Sequence, residues 1–343
     1  MKILVATDAY FEGHGGPYYA ISSKLNNLLI NNINFKLIFR KSDNYTNSLD
    51  LNEITKCYDI IHIYGIWQPF LAKLFYYSKK NKKKTIITPL GALEPWSLSQ
   101  KSLKKKIALW VYQKKIMNTC DIIHATSEIE KENLKKLGIK NRIIVIPHGI
   151  DINYARKKYV NNKIKKAIFF SRIHEKKGLL ELVEAWSKIK IKNWCLDIYG
   201  PVSDKNYLNL IKQKIQNLNL DETIKIYDPI YDLNKKKIIF ESADCFLLPS
   251  KSENFGISVG EALSYGLPVL TTTSTPWKDI EIVNAGMIFE MSKENLKNAL
   301  KQFLAISNDK LYQMGLNGQN LVQQKFSHKL ITKKYINLYS SLM

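Results

Sequence analysis

Short β-branched runs alternate along the chain with longer stretches whose apolar residues return at helical spacing. Residues 2–7 are a continuous apolar run, a glycine-rich turn follows, and in 18–31 Ile21, Leu25, Leu28 and Leu29 recur every three or four positions. That is the period of a helix with one buried face. Strand-like runs then come at 35–39, 59–63, 84–88, 121–125 and 142–146, most of them separated by helical stretches. The pattern restarts after residue 165, with strands at 166–171, 194–199, 223–227, 244–248 and 268–272 and a helix at 179–190. The last fifty residues are helical and carry no strand signal. Between the two series, 151–165 is polar, rich in lysine and without a period, which marks a linker. Such alternation predicts an α/β fold of two doubly wound parallel-sheet, Rossmann-like domains facing a cleft, followed by C-terminal helices. The expected division is 1–155, 160–325 and a final helix at 326–343 packing back on the first domain.

Composition narrows the picture. With 343 residues, 45% hydrophobic and 24% charged, the chain can bury a sizeable core and does not read as disordered. Cys57, Cys120, Cys195 and Cys245 lie far apart with no C-x-x-C pair, so neither a disulfide framework nor a zinc site is expected. The opening MKILVATD reaches an acid at Asp8, too soon for a signal peptide, and the greasiest stretch, 59–77, is broken by His62, Gln68, Pro69 and Lys73. The expectation is a soluble, reduced, cytoplasmic protein. A net charge of +22, spread over both halves, favours anionic partners: phosphates, nucleic acid or an acidic membrane face.

In doubly wound sheets ligands bind beyond the carboxyl ends of strands, and three unusual loops fall there. His14-Gly15-Gly16-Pro17 follows the first strand and precedes a helix; adjacent glycines let backbone N–H groups approach an anion, although an ordinary tight turn reads the same way. Ser171-Arg172-Ile173-His174-Glu175-Lys176-Lys177-Gly178 follows the first strand of the second series. There an arginine fork and a lysine point charge can clamp a diphosphate, against the plainer reading of a solvated basic loop. The segment from Ser250 to Leu263 holds Glu253, Asn254, Phe255, Gly256 and Glu261. If Gly256 turns the chain into a helix, Glu253 stays in the loop and Glu261 falls about one turn inside. The two carboxylates could then grip different hydroxyls of one extended ligand, while two glutamates eight apart are commonplace in any helix-bearing loop.

The S-R-x-x-x-K-K-G loop together with E-N-F-G-x-x-x-x-E-A resembles the retaining GT-B glycosyltransferases of family 4. The resemblance extends over nearly the whole chain, through the early G-G loop, D-I-I-H-A-T-S-E-x-E at 121–130 and I-P-H-G-I-D at 146–151. The run from Pro89 to Leu98, PLGALEPWSL, is similar to a mark of enzymes that build bacterial surface polysaccharides. The resemblance implies that Arg172 and Lys177 hold the donor diphosphate and that Glu261 binds the ribose hydroxyls. Glu253, with amides around Asn254, Phe255 and Gly256, would position the donor sugar. Gly15 and Gly16 would reach the phosphates when the cleft closes, and Glu94 and His124 are acceptor-side candidates. It implies a hexosyltransferase acting with retention and without metal or cofactor, the nucleotide sugar, UDP- or GDP-linked, being a substrate. The acceptor would be a lipid-linked saccharide of O-antigen or capsule synthesis, met at the inner face of the cytoplasmic membrane. Three positions depart from the family pattern: Leu90 where many members have His, His148 where Asn is usual, and Asp228 in a loop where Gly is common.

Competing readings remain at this level. Another GT-B enzyme, such as a nucleotide-sugar epimerase, would share the fold. A basic nucleic-acid-binding protein fits the charge, but the chain has no zinc finger, RGG tract or RNA-recognition motif. The histidines form no H-E-x-x-H and there is no D-x-D, so cationic side chains are expected to neutralise the leaving group. His124 reads as a satisfied core histidine as readily as an acceptor-side group. In 98–117, Leu103, Ile107, Trp110 and Val111 share one helical face, with Lys104, Lys105, Lys114 and Lys115 mostly off it. This predicts either a core helix with a solvated face or a membrane-surface patch, which Tyr76, Tyr77 and Trp96 would also suit.

Overall fold

The structure, a computed structural model, describes residues 1–8, 16–39, 50–100, 102–153, 164–189 and 193–343. These residues form two compact units, Met1–Gly149 with His328–Met343, and Ile150–Ser327.

The described part of the first unit is built on β1 (Lys2–Thr7), β2 (Asn34–Phe39), β3 (Ile60–Tyr64), β4 (Lys84–Thr88), β5 (Ile122–Ala125) and β6 (Ile143–Val145). They form one parallel sheet in the order β2-β1-β3-β4-β5-β6. β3 is buried along its whole length, His62 included, which is why it does not read as an apolar–polar alternation. One face packs Leu4, Ile61, Ile63 and Ile87 against Leu71, Leu74 and Leu134. The other packs Ile3, Val5, Ile60 and Ile86 against Leu25 and Leu28 of the helix Gly16–Ile30 and against Ile331, Tyr335, Leu338 and Tyr339 of the last helix, His328–Ser340.

The described part of the second unit is built on β7 (Lys165–Phe170), β8 (Trp194–Tyr199), β9 (Ile224–Tyr227), β10 (Cys245–Leu248), β11 (Val269–Thr272) and β12 (Gly286–Phe289). The parallel order is β12-β11-β10-β7-β8-β9. The chain winds outward from β7 through β8 to β9, then returns to β10 on the other side of β7. The switch point of this doubly wound sheet therefore lies between β7 and β10. The edge strand β12 is absent from the strands read in the sequence: it is only four residues long and opens on a glycine.

One core assignment fails. The helical stretch Ser102–Ala108, a π-helical turn Leu109–Gln113 and Lys114–Thr119 run on from one another. Gln113 and Met117 are its buried members, while Leu103, Ile107, Trp110 and Val111 are exposed. The apolar stripe points outward, so the core-helix reading of that face is wrong. Among the described residues no helix is long and apolar enough to cross a membrane.

Candidate functional site

The loops after β7 and β10, on either side of the switch point, meet. The backbone N–H of Lys251 donates to the carbonyl of Lys176 at 2.8 Å. Gly178 makes the approach feasible: its φ is +69°, and a Cβ there would lie 2.1 Å from the carbonyl oxygen of Pro249. Between the loops, Lys177 Nζ donates to Glu253 Oε1 at 2.5 Å, and Ser250 Oγ donates to the same oxygen at 2.7 Å. The Glu253 N–H is held by the Ser274 carbonyl at 3.1 Å, which fixes the carboxylate's root.

Glu253 is buried, and burial alone would raise its pKa. The charges of Lys177 and Lys176 and the hydrogen bonds from Lys177 and Ser250 outweigh that and hold it below the ordinary carboxylate value. The loop is a cationic field. His174, whose Nδ1 accepts from the Lys176 N–H at 3.1 Å, has its pKa lowered first by burial and next by the Arg172 charge. Arg172 itself is exposed to solvent in this loop.

Beyond Glu253, the Oδ1 of Asn254 is buried with no hydrogen-bond partner among the described residues. A buried acceptor left open in this way is costly unless a donor arrives. Gly256, at φ +77°, turns the chain into the helix Ile257–Ser264. Phe255 is anchored beneath by Trp277, whose indole N–H donates to the Phe255 carbonyl at 2.6 Å. Glu261 lies within that helix, and its Oε1 accepts from Lys236 Nζ at 2.5 Å. Lys236 comes from the helix Leu233–Ser242 and lies over the rings of Phe170 and Phe240, 5.5 and 5.8 Å from their centroids. Sequence reasoning missed Lys236, one of three adjacent lysines; the available signal is its i, i+4 spacing to the buried Phe240, which points it inward.

The structure thus brings together Lys177, Glu253 and Asn254 on the loops that carry Arg172, Phe255 and Gly256, with Glu261 on the helix that follows. Gly15 and His14 lie outside the described residues, and Gly16 is the first residue of its helix. Glu94 and His124 are in the first unit. Glu94 is buried at the start of the helix Pro95–Ser99, its Oε2 accepting from Asn133 Nδ2 at 2.5 Å. Beside it Glu130 accepts from the N–H groups of Gly91 and Thr126, both at 2.7 Å, and clasps the loop after β4 to the loop after β5. Burial pushes Glu130 up to about 7, with Glu94 adding to the rise and its hydrogen bonds opposing it. His124 is a satisfied core histidine. Its Nδ1 pairs with Thr88 Oγ1 at 2.8 Å and its Nε2 with the Ile146 carbonyl at 2.8 Å.

Of the three departures, Leu90 adopts a left-handed φ of +54° ahead of Gly91, and its side chain packs on the core beneath the last helix. His148 is buried, and Asp228 is exposed directly after β9. Among the described residues no three His, Cys, Asp or Glu side chains come together as metal ligands would.

Comparison with known proteins decides the family. Residues 151–321 match the family model of glycosyl transferases group 1, and residues 20–154 match that of glycosyltransferase family 4. The chain belongs to the family 4, group 1 glycosyltransferases. Its fold is of the GT-B type. The capsular polysaccharide biosynthesis glycosyltransferase CapM of Staphylococcus aureus is 25% identical over 264 residues, covering 70% of this chain and 66% of CapM. The chain spans about three-fifths, 60% and 61%, of two further relatives. The O-antigen biosynthesis glycosyltransferase WclY of Escherichia coli is 21% identical over 332 residues, covering 90% of this chain and 86% of WclY. Among solved structures, Anabaena HepE in complex with UDP-glucose superposes with a TM-score of 0.78 at 18% identity, over 99% of this chain and 100% of HepE. At that identity the likeness is one of fold.

Proposed function

We propose that this protein transfers a sugar, with retention of anomeric configuration, from a nucleoside diphosphate sugar to a hydroxyl of a lipid-linked saccharide in capsule or O-antigen synthesis. The observation that carries the reading is the meeting of Lys177 and Glu253 across the switch point, with Asn254 Oδ1 open beside them. As the glycosidic bond to the diphosphate breaks, negative charge grows on the leaving phosphates. Lys177, Arg172 and the N–H groups at the start of the helix Ile257–Ser264 stabilise that charge where it develops. Glu253, kept ionised, accepts hydrogen bonds from sugar hydroxyls, and Asn254 Oδ1 takes another. Glu261, its Oε1 held by Lys236, accepts the ribose hydroxyls. Because side-chain cations supply the charge, no divalent metal is required. Lys177 and Ser250 both engage Oε1 of Glu253, which supports front-face attack by the acceptor hydroxyl, its proton passing to the departing diphosphate, in place of a covalent glycosyl-enzyme. The lipid-linked acceptor is supported by the capsular and O-antigen roles in the names of CapM and WclY.

The test is a panel of UDP- and GDP-sugars, scored first by thermal shift and then by transfer to lipid-linked acceptors with and without a chelator. The anomeric configuration of the product is read by NMR. Arg172→Ala, Lys177→Ala and Glu261→Ala should each lower kcat/KM by on the order of a hundredfold. Wild-type transfer by all three variants would refute the site; inversion in the product would refute retention.

A further inference from the structure

We propose that the helical stretch from Ser102 to Thr119 is a docking surface for an anionic lipid bilayer. Leu103, Ile107, Trp110 and Val111 are 71%, 55%, 84% and 60% exposed. Their spacing, i, i+4, i+7 and i+8, makes them one continuous stripe, the pattern by which a helix normally faces a core. A stripe of four large apolar groups turned outward, with a tryptophan as its most exposed member, leaves apolar surface in water that a bilayer interface would cover.

Charge identifies the occupant. Residues 102–119 contain Lys104, Lys105, Lys106, Lys114 and Lys115 and no acidic residue. Lys106, three residues after Leu103, and Lys115, four after Val111, are exposed beside the stripe, and neither forms an ion pair with a carboxylate among the described residues. Lys105 is turned inward, donating to the Ser97 carbonyl at 2.6 Å with its ammonium over Trp67. Apolar anchors flanked by long-stemmed cations match the layered chemistry of an anionic leaflet, with acyl chains beneath phosphates. The π-helical turn Leu109–Gln113 falls beneath Trp110; the extra residue in that turn lets Gln113 and Met117 face inward while Trp110 and Val111 face out. A second copy of the chain would set Lys106 and Lys115 against the same cations across a symmetric contact, and a nucleic acid would leave the aliphatic stripe uncovered.

The inference goes beyond sugar transfer and is tested without any sugar present, so its failure would leave the proposed reaction standing. The intact protein is floated with vesicles of phosphatidylcholine alone and of equal parts phosphatidylcholine and phosphatidylglycerol, at physiological salt. Binding is expected to the mixed vesicles and to be far weaker to the neutral ones. Ile107→Ser with Trp110→Ser should lower the partition coefficient more than tenfold. Lys106→Gln and Lys115→Gln should each lower it about fivefold. Equal urea midpoints for variants and wild type confirm that the fold is kept. Failure of the wild type to bind, or binding that survives the Ile107/Trp110 double change, would overturn the proposal. So would a dimer by light scattering that the double change dissolves, or a salt-resistant complex with nucleic acid that needs Trp110.

Discussion

Lys177 and Glu253 belong to loops that follow different strands, 76 residues apart, and their charged ends meet at 2.5 Å. The contact ties the loop after β7 to the loop after β10, and it sets a buried carboxylate beside the cation proposed to hold the leaving group. An ion pair of this kind contributes little net stability while intact, but removing one member strands the other.

Lys177→Met should therefore destabilise the second unit by about 3 kcal/mol, because Glu253 is left charged and buried. Adding Glu253→Gln should restore most of that loss without restoring transfer. Urea unfolding of the two single variants and the double variant, beside transfer assays, checks both halves. A Lys177→Met protein as stable as wild type would mean that Glu253 does not depend on the lysine. The pair also has a pH signature. Glu253 has a folded pKa below its ordinary value of 4.5, so its contribution is present above that pH and is lost as pH falls through the depressed value.

Lys236 pairs with Glu261 at 2.5 Å, as Lys177 pairs with Glu253. Lys236→Met keeps a stem of similar length over Phe170 and Phe240 but removes the ammonium that orients the carboxylate. The donor KM should rise about tenfold with kcat little changed, the pattern of lost uniform binding. Arg at this position should recover part of the affinity. A fall in kcat at unchanged KM would place Lys236 with the leaving-group cations instead.

The two sheets were legible in the chain because strands buried on both faces write themselves as short, mostly apolar runs, I-I-H-I at 60–63 and C-F-L-L at 245–248. β12 was not, since four residues opening on Gly286 carry too little pattern. Each loop after β7 and β10 announced itself by composition, yet nothing in either says that Lys177 would meet Glu253; that follows from the return of the chain across β7. The stripe at Leu103, Ile107, Trp110 and Val111 shows the opposite limit. Periodicity reports that a helix has an apolar face and is silent on which way the face turns. Only the burial of Gln113 and Met117 settles the direction.

Gly178 is the hinge on which the loop contact depends. Gly178→Ala would force a left-handed alanine and press its Cβ toward the Pro249 carbonyl, which is backbone and cannot swing aside. The expected cost is roughly 1–3 kcal/mol of stability. A loss of kcat/KM on the order of a hundredfold should accompany it, through displacement of Lys177. Thermal unfolding and transfer rates measured together test this. Full activity in a protein of unchanged stability would show that the loops tolerate separation.

Glu130 should make the first unit respond to mild acid in an unusual direction. Its folded pKa is about 7 against an ordinary 4.5, so across that window the folded state keeps a proton that the unfolded chain has released. Stability must then fall as pH rises from 4.5 to 7 and level off above. Subtracting the stability of Glu130→Gln from that of wild type at each pH isolates the term. A difference that is flat across the window would show that the carboxyl titrates in its ordinary range.

The histidines of the first unit act in the other sense. His62, His124 and His148 are buried, and burial is the leading cause that lowers each pKa: well below 6.5 for His62, to about 4 for His124 and to about 3 for His148. Lys24 bonds to Tyr64, and burial pushes its own pKa well down; where it carries charge it lowers all three further. Below pH 6.5 the unfolded chain takes up protons that the folded one refuses, so stability is lost as pH falls from about 6.5 toward 4. His124→Gln should reduce the slope of stability against pH in that range by one proton's worth. The first segment to open should be the helix His328–Ser340, because Tyr335 and Tyr339 bond to His124 and His62 at 3.3 and 2.9 Å. Hydrogen exchange at pH 5 should show the amides of this helix losing protection before those of β3 and β4. Exchange that rises uniformly across the unit, or a slope unchanged by His124→Gln, would separate the acid response from these rings.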